Sequence, residues 1–233
     1  MRIVAGLLMA LHVALLTCSA FRHSPVIDEI GHFAAGISHW HLGRFDLYSV
    51  NPPLVRLVAT APVAAFGHDM DWSEYSDLPS DRAEFRIGAT AIRAHRGAIL
   101  QKFKYARLAC IPFCLIGGFL CWIWARELYG DTAGIVALAL WCLSPNILGH
   151  GSLLTPDTAA AALGVTACFS WKNWLQQPST KGALIAGVLL GLAELTKFTW
   201  LILYGIWPVV WIALRWRSSG IEKPVALSCG RLR

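Results

Sequence analysis

Three short groups of polar residues stand out in an otherwise apolar chain, and each could do chemistry. The first is Asp28-Glu29 with His32. Asp28 and His32 are four residues apart, so they share one face of a helix, and a carboxylate oriented by a neighbour can act as a general base. The same two acids could instead serve only to stabilise a helix N-terminus through its dipole.

The second and third groups lie further along the chain. His150 and Asp157 flank a turn rich in glycine and serine, and Glu194 and Lys197 are three residues apart. Asp157 could simply sit in the first turn of a helix, and Glu194 with Lys197 could be an intrahelical ion pair. A lysine at such a place could also bind a phosphate as a point charge. Arg107 stands at the mouth of an apolar segment, where it could face an anionic ligand.

The composition indicates a membrane protein and argues against nucleic-acid binding. The 233 residues are 56% hydrophobic and only 15% charged, with a net charge of +6, whereas a soluble domain carries about 25% charged residues. The basic residues lie mainly at the ends of apolar segments and in one loop, which favours anionic lipid headgroups as their partner. None of the seven cysteines has zinc-site spacing, and most lie in apolar stretches where cysteine packs as a small hydrophobe.

Six apolar segments predict an all-α bundle of about six membrane-spanning helices. They cover residues 3–21, 108–125, 132–148, 158–171, 183–195 and 198–214. The first could alternatively be a signal peptide, but its length favours an uncleaved helix. The basic residues of the short connections place both termini in the cytoplasm and the chain in the inner or plasma membrane. Residues 22–107, residues 149–157 and Lys197 are then all on the outer face.

The long first loop, residues 22–107, is predicted to hold two short helices. Residues 27–42 form one, and residues 54–66, too short to span, form an interfacial helix that carries Arg56 and Thr60 one turn apart. The charged residues of 68–85 are acidic apart from Arg82, and those of 86–107 are all basic. These runs could be a solvated loop and a segment on lipid headgroups, or part of the basic run could face an anionic ligand.

A series of short motifs resembles the membrane glycosyltransferases related to protein O-mannosyltransferases and the aminoarabinose transferase of lipid A. In the first loop the motifs are Ser24-Pro25, Asp28-Glu29, His32, Ala35-Gly36, Gly43 and Asn51-Pro52-Pro53-Leu54. Downstream they are Ala106-Arg107-Leu108, Arg126-Glu127-Leu128-Tyr129-Gly130, Leu143-Ser144-Pro145-Asn146, His150-Gly151, Asp157 and Leu195-Thr196-Lys197-Phe198-Thr199. Their order and spacing over residues 1–215 carry the resemblance.

The resemblance implies a GT-C fold and a specific reaction. Such enzymes move a sugar from a polyprenyl-phosphate carrier to a hydroxyl of a lipid, glycan or protein acceptor on the outer face, with inversion and without a nucleotide sugar. Asp28 would be the base, and Glu29 and Asp157 would be the other catalytic acids. Arg107 and Lys197 would steady the phosphate leaving group, with His32 and His150 also near the substrate. A divalent cation held by Asp28, His32 and Asp157 is possible, because some relatives use one.

Two further expectations concern the limits of the chain and its function class. Residues 1–215 are expected to form the N-terminal part of a GT-C domain, with residues 216–233 a disordered cytoplasmic tail. The family has more membrane helices than this sequence predicts, so the chain is expected to be truncated and inactive alone. The alternative is a non-catalytic multi-pass protein, such as a transporter or a lipid-binding scaffold. A transporter would show polar sites near helix centres in two matching halves, whereas here they cluster at one membrane face.

Overall fold

The computed structural model describes residues 1–68, 70–76, 78 and 81–219, and within these ranges the chain is helical and has no strand. The predicted all-α membrane bundle is therefore confirmed. The chain divides into two compact units, Met1–Phe198 and Thr199–Arg233. The predicted disordered tail falls largely on residues 220–233, which lie outside the described residues.

Ten α-helices follow one another along the described chain. They are α1 (Arg2–Arg22), α2 (Ile27–His41), α3 (Leu54–Phe66), α4 (Ala83–Ala94), α5 (Arg96–Tyr129), α6 (Asp131–Leu143), α7 (Pro145–His150), α8 (Asp157–Gln176), α9 (Thr180–Glu194) and α10 (Ile202–Ser219). A short 3₁₀ helix, Phe198–Leu201, precedes α10. The predicted helices at residues 27–42 and 54–66 are both present.

Three stretches are long and apolar enough to cross a membrane: Arg2–Arg22, Arg96–Tyr129 and Phe198–Arg217. Helix α6 is apolar but has only 13 residues, about 20 Å at 1.5 Å per residue, which is shorter than a hydrocarbon core of about 30 Å. Helices α8 and α9 are not among the helices that are both long enough and apolar enough to cross a membrane. A count of six spans therefore stays a prediction.

The structure corrects two element boundaries and adds one helix. The predicted span 132–148 is interrupted, because Ser144 has an extended ψ of 126° and Pro145 starts α7 as its first residue. Helix α5 begins at Arg96 rather than at 108, and its 34 residues extend about 51 Å. Helix α4 occupies part of the predicted loop, where the charge pattern hid an apolar face made by Ile87 and its small neighbours.

The long first loop folds into a helical layer, the α2–α4 layer, in which α2 packs against both α3 and α4. Gly36 allows the close approach to α3: a Cβ at this position would lie 2.6 Å from Thr60 Cγ2 and 2.8 Å from the Arg56 carbonyl oxygen. Gly88 allows the approach of α4 to α2 in the same way, since its Cβ would lie 2.7 Å from the Ile30 carbonyl oxygen. Small residues at these crossings therefore fix how α2 is placed.

The acidic and basic runs of this layer pair with each other. Arg86 forms a bidentate ion pair with Asp81 at 2.8–2.9 Å and lies 3.4 Å from Glu74. All three groups are well exposed, so the pairs contribute little stability. They do hold the start of α4 against the preceding acidic segment. Because Arg86 is engaged by these carboxylates, it is not free to bind an anionic ligand.

Helix α5 is the central helix of the first unit. It packs against α1, α3, α4, α6 and α8, and its buried face includes Phe103, which stacks on Phe33 of α2 with ring centroids 4.4 Å apart. The α2–α4 layer is thus attached to the bundle through the first turns of α5, and this attachment positions the candidate site.

Candidate functional site

Adjacent acids at the start of α2 have opposite environments. Asp28 is exposed, whereas Glu29 is fully buried at 0%. Successive helical positions differ by about 100° around the axis, so one of the two points toward the bundle and the other away from it. The predicted acidic motif therefore divides into one accessible carboxylate and one enclosed carboxylate.

Glu29 is tied to the protein by four contacts. Its two oxygens accept hydrogen bonds from Arg107 Nε at 2.9 Å and Arg107 Nη2 at 2.5 Å. The backbone N–H of Val26 donates to Oε2 at 3.0 Å, and the N–H of Leu154 donates to Oε1 at 3.2 Å. A buried carboxylate with all of these donors is well compensated, and it joins the chain before α2 to the segment before α8.

Arg107 is 1% exposed and has no donor to spare. Beyond its two bonds to Glu29, Nη1 donates to the carbonyl oxygens of Ala20 at 3.3 Å and His23 at 2.7 Å, and Nη2 donates to that of Ser24 at 3.0 Å. A guanidinium has five N–H donors, so all are used. Arg107 therefore has no free N–H group with which to bind the phosphate of the sugar carrier, contrary to the prediction. Glu29 is enclosed by the protein and is not accessible to substrate.

His32 lies one turn after Asp28 and faces Tyr48. The two rings meet edge to face at a centroid distance of 4.7 Å. Burial lowers the pKa of His32 to about 4, with a further reduction from the charge of Arg56 that Asp157 partly offsets. His32 is therefore neutral at physiological pH and lies within electrostatic reach of both Arg56 and Asp157.

Tyr48 connects these groups to Asp28. Burial raises the pKa of its hydroxyl, and the negative charge of Asp28 raises it further. The guanidinium carbon of Arg56 lies 5.0 Å from the ring centre, and that of Arg82 lies 5.6 Å from it. Tyr48 is therefore within electrostatic reach of the exposed carboxylate of Asp28, and its ring also contacts the buried cation Arg56.

Arg56 is the residue that the sequence prediction of site residues missed. It is only 2% exposed, and among the described atoms its Nε and Nη1 have no hydrogen-bond partner, while Nη2 donates to the carbonyl oxygen of Asn51. Burial lowers the pKa of Arg56 to about 10, which leaves it charged at neutral pH. The signal in the sequence was a lone arginine in an apolar helix of 13 residues.

Asp157, the first residue of α8, pairs with Lys197, which follows the end of α9. Lys197 Nζ donates to Asp157 Oδ1 at 2.8 Å, and both side chains are partly exposed. Partial burial raises the pKa of Asp157, but the hydrogen bond and charge of Lys197 outweigh it and the net pKa lies below its usual range. Lys197 thus pairs across 40 residues with Asp157, a pairing that the three-residue spacing to Glu194 did not predict.

One backbone hydrogen bond places the segment that carries Lys197 next to the start of α3. The N–H of Leu54, the first residue of α3, donates to the carbonyl oxygen of Leu195 at 3.0 Å. Arg56 and Lys197 each lie two residues from this hydrogen bond. His150 is exposed at the end of α7, and its electrostatic interaction with Asp157 also lowers the pKa of that carboxyl group. The predicted residues His32, His150, Asp157 and Lys197 are therefore brought together, along with Arg56.

A comparison with known protein families now identifies the chain. The model of the dolichyl-phosphate-mannose-protein mannosyltransferase family matches residues 99–229, more than half of the chain. The chain belongs to this family. No curated protein sequence and no solved structure gave a significant match.

Membership in the mannosyltransferase family confirms the resemblance inferred from the motifs. The protein is a membrane glycosyltransferase of the GT-C type, and the non-catalytic transporter or scaffold is disfavoured. The matched residues include Arg107, His150, Asp157 and Lys197. Asp28, Glu29, His32 and Arg56 precede the match, so their roles depend on the geometry given above.

The predicted metal ligands do not form a metal centre in this mannosyltransferase-family chain. Within the described ranges, no group of three or more His, Cys, Asp or Glu side chains could hold a metal ion. Asp157 is engaged by Lys197, and His32 packs against Tyr48. The set Asp28, His32 and Asp157 does not fit a divalent cation in this arrangement, so no catalytic step is derived through one.

Proposed function

We propose that the protein transfers a sugar from a polyprenyl-phosphate carrier to an acceptor hydroxyl on the outer face of the membrane, with inversion. One observation carries the proposal: the exposed carboxylate of Asp28 is within electrostatic reach of Tyr48, and the guanidinium carbon of the buried cation Arg56 lies 5.0 Å from the centre of the same ring. A base and a cation at one end of a helical bundle are the two groups that such a displacement needs.

The proposed step is a single displacement at the anomeric carbon. The acceptor oxygen forms a bond to that carbon as its proton passes to the carboxylate of Asp28. The bond from the anomeric carbon to the phosphate oxygen breaks, and both electrons leave with the lipid phosphate. Attack opposite the leaving group inverts the anomeric configuration. The phosphate gains negative charge as it leaves, so cations on its side lower the barrier.

We assign the phosphate side to Arg56 and Lys197. Arg56 holds two unpartnered nitrogens in a buried position, where a charge-assisted hydrogen bond is stronger than in water. Lys197 is partly exposed and can exchange its contact with Asp157 for one with phosphate. Asp157 would then hold Lys197 in place between turnovers, and His150 would add to the positive field around the phosphate.

Glu29 and Arg107 receive a positioning role in the same scheme. Their ion pair links α2 to α5 and, through Leu154, to the segment before α8. Asp28 adjoins Glu29 in the first turn of α2, and Asp157 starts α8 three residues after Leu154. The buried pair therefore sets the relative placement of the proposed base and the proposed phosphate site without touching substrate.

The proposed orientation has both termini in the cytoplasm and the α2–α4 layer outside. The distribution of basic residues at the short connections supports it. The carrier can then reach Arg56 and Lys197 from the membrane with its polyprenyl tail in the hydrocarbon phase. The acceptor would approach Asp28 from water.

Arg56→Met is expected to weaken binding of a polyprenyl-phosphate sugar by about 10- to 100-fold, the equivalent of one charge-assisted hydrogen bond. Because the wild-type cation has two unpartnered nitrogens, its removal should leave the temperature of thermal unfolding unchanged or higher. Binding is measured with polyprenyl-phosphate mannose and the protein in lipid nanodiscs.

Arg93→Met is the matched control, because Arg93 is exposed in α4 and lies outside the site. It should bind the donor as the wild type does. Equal donor affinity in the wild type and the Arg56 variant would exclude Arg56 from the phosphate site. A marked fall in unfolding temperature with Arg56→Met would point instead to a structural arginine.

A further inference from the structure

A cationic cavity lies between the end of α1 and the start of α5. Its volume is about 300 Å³. Its polar lining comes from Arg22, His23, Ser24, Gly97, Gln101 and Lys104, with Arg107 in the wall. Apolar surface from Phe21, Pro25, Leu100 and Phe103 completes the lining. None of these lining residues carries a carboxylate.

The available positive charge in the cavity comes from Arg22 and Lys104. Arg107 cannot contribute a donor, because all of its N–H groups are used within the protein. Arg22 is exposed, and Lys104 is partly exposed and lies 5.6 Å from the ring centre of Phe21. Among the ion pairs of the described residues, none involves Arg22 or Lys104. Two cations and no acid make the cavity a site for an anion.

The start of α5 adds to this preference. Gly97 is the second residue of the helix, and the first turn contains no acidic residue. The N–H groups of a first turn have no partner within the helix, and the helix dipole favours negative charge there. The backbone at Gly97 therefore reinforces Arg22 and Lys104 on the same cavity, and all three favour a phosphate.

The position of the cavity favours a lipid as the source of that phosphate. Arg22 closes the 21-residue apolar helix α1, which is long enough to cross the hydrocarbon core. The apolar part of α5 follows Arg107, so Gly97 and Lys104 precede the membrane-spanning part. The cavity is thus at the level of the headgroups, with phenylalanine and leucine side chains beside the cations, as an amphiphile requires.

We propose that this cavity binds the phosphate of an anionic phospholipid headgroup. The lipid would fill the gap between α1 and α5 next to the wall formed by Arg107. It would thereby support the contact between Arg107 and the carbonyl oxygens that end α1. The site is separate from the proposed donor site and does not depend on the proposed reaction.

The test is lipid binding to the full 233-residue chain, measured by native mass spectrometry with phosphatidylglycerol, phosphatidylcholine or inorganic phosphate added. The wild type should retain phosphatidylglycerol in preference to phosphatidylcholine. The double variant Arg22→Gln with Lys104→Gln should bind phosphatidylglycerol about 20- to 30-fold more weakly, at about fivefold for each cation lost near the surface. Each single variant should lose about fivefold, which keeps the test valid if the double variant does not fold.

The double variant Arg93→Gln with Lys102→Gln is the control, because it removes the same charge near the same end of the bundle without altering the cavity lining. It should keep the wild-type affinity. An equal loss in the control would show that only net charge matters and would overturn the proposal. Equal retention of phosphatidylcholine, or displacement of the lipid by inorganic phosphate, would also overturn it.

Discussion

Asp28→Asn is expected to lower the rate of sugar transfer by about 10²- to 10⁴-fold, the range for loss of a general base. Asparagine keeps the shape of the side chain but cannot accept the acceptor proton. Asp28 is exposed and outside the buried ion pair, so the fold and donor binding should be retained. Transfer of labelled sugar is measured in membranes from the native host, with the chromosomal copy of the gene replaced by the variant.

Asp71→Asn is the matched control for this experiment. Asp71 is an exposed carboxylate of the same α2–α4 layer, and it accepts a hydrogen bond from the backbone N–H of Ser73. Its replacement should leave transfer unchanged. If Asp28→Asn kept the wild-type rate at a normal protein level, Asp28 would not be the base.

Arg107→Gln is expected to give the largest loss of stability, about 3–5 kcal/mol. The substitution removes the cation that compensates Glu29, which is 0% exposed, and leaves three carbonyl oxygens without their guanidinium donor. An uncompensated buried charge is costly, whereas a neutral pair of similar shape is much less so. The free energy of unfolding is measured in detergent micelles by denaturant titration.

The double variant Glu29→Gln with Arg107→Gln separates charge from packing. It should be more stable than Arg107→Gln alone, because two amides can bond to each other without a buried charge. Arg93→Gln, on the exposed face of α4, should change stability by less than about 0.5 kcal/mol. A double variant no more stable than the single one would show that the ion pair is not what holds α2 to α5.

The sequence predicted the helical class and much of the α2–α4 layer because hydrophobic periodicity and helix breakers are local signals. Helix α3 has the predicted bounds, and α2 ends within one residue of its predicted end. The break at Ser144-Pro145 was missed because both flanking segments are apolar. Helix α4 was missed because its apolar face is made largely of small residues between charged ones.

Pairings between distant residues could not be predicted in this way. Glu29 and Arg107 are 78 residues apart, and Asp157 and Lys197 are 40 apart. Spacing along the chain shows which residues share a helix face, but it does not show which elements pack together. For this reason Arg107 was expected to contact phosphate, whereas in the fold its donors are all used.

Arg56 illustrates the reverse error. An arginine in a short apolar helix at an interface is usually explained by lipid headgroups, so it was not assigned to the site. The burial of Arg56 depends on Gly36, because the absence of a side chain there lets α3 pack closely against α2. The guanidinium of Arg56 then contacts the ring of Tyr48. That packing involves three separate segments, and local sequence patterns contain no record of it.

The most direct test of the proposed donor site is photo-crosslinking with a polyprenyl-phosphate mannose that carries a photoreactive group near the phosphate. The protein is labelled in nanodiscs, and the modified peptides are mapped by mass spectrometry. Labelling should concentrate on the start of α3 around Arg56 and on the segment around Lys197. An excess of polyprenyl phosphate without the photoreactive group should prevent this labelling. Labelling that is spread over the membrane helices and resists competition would contradict a polyprenyl-phosphate site at this end of the bundle.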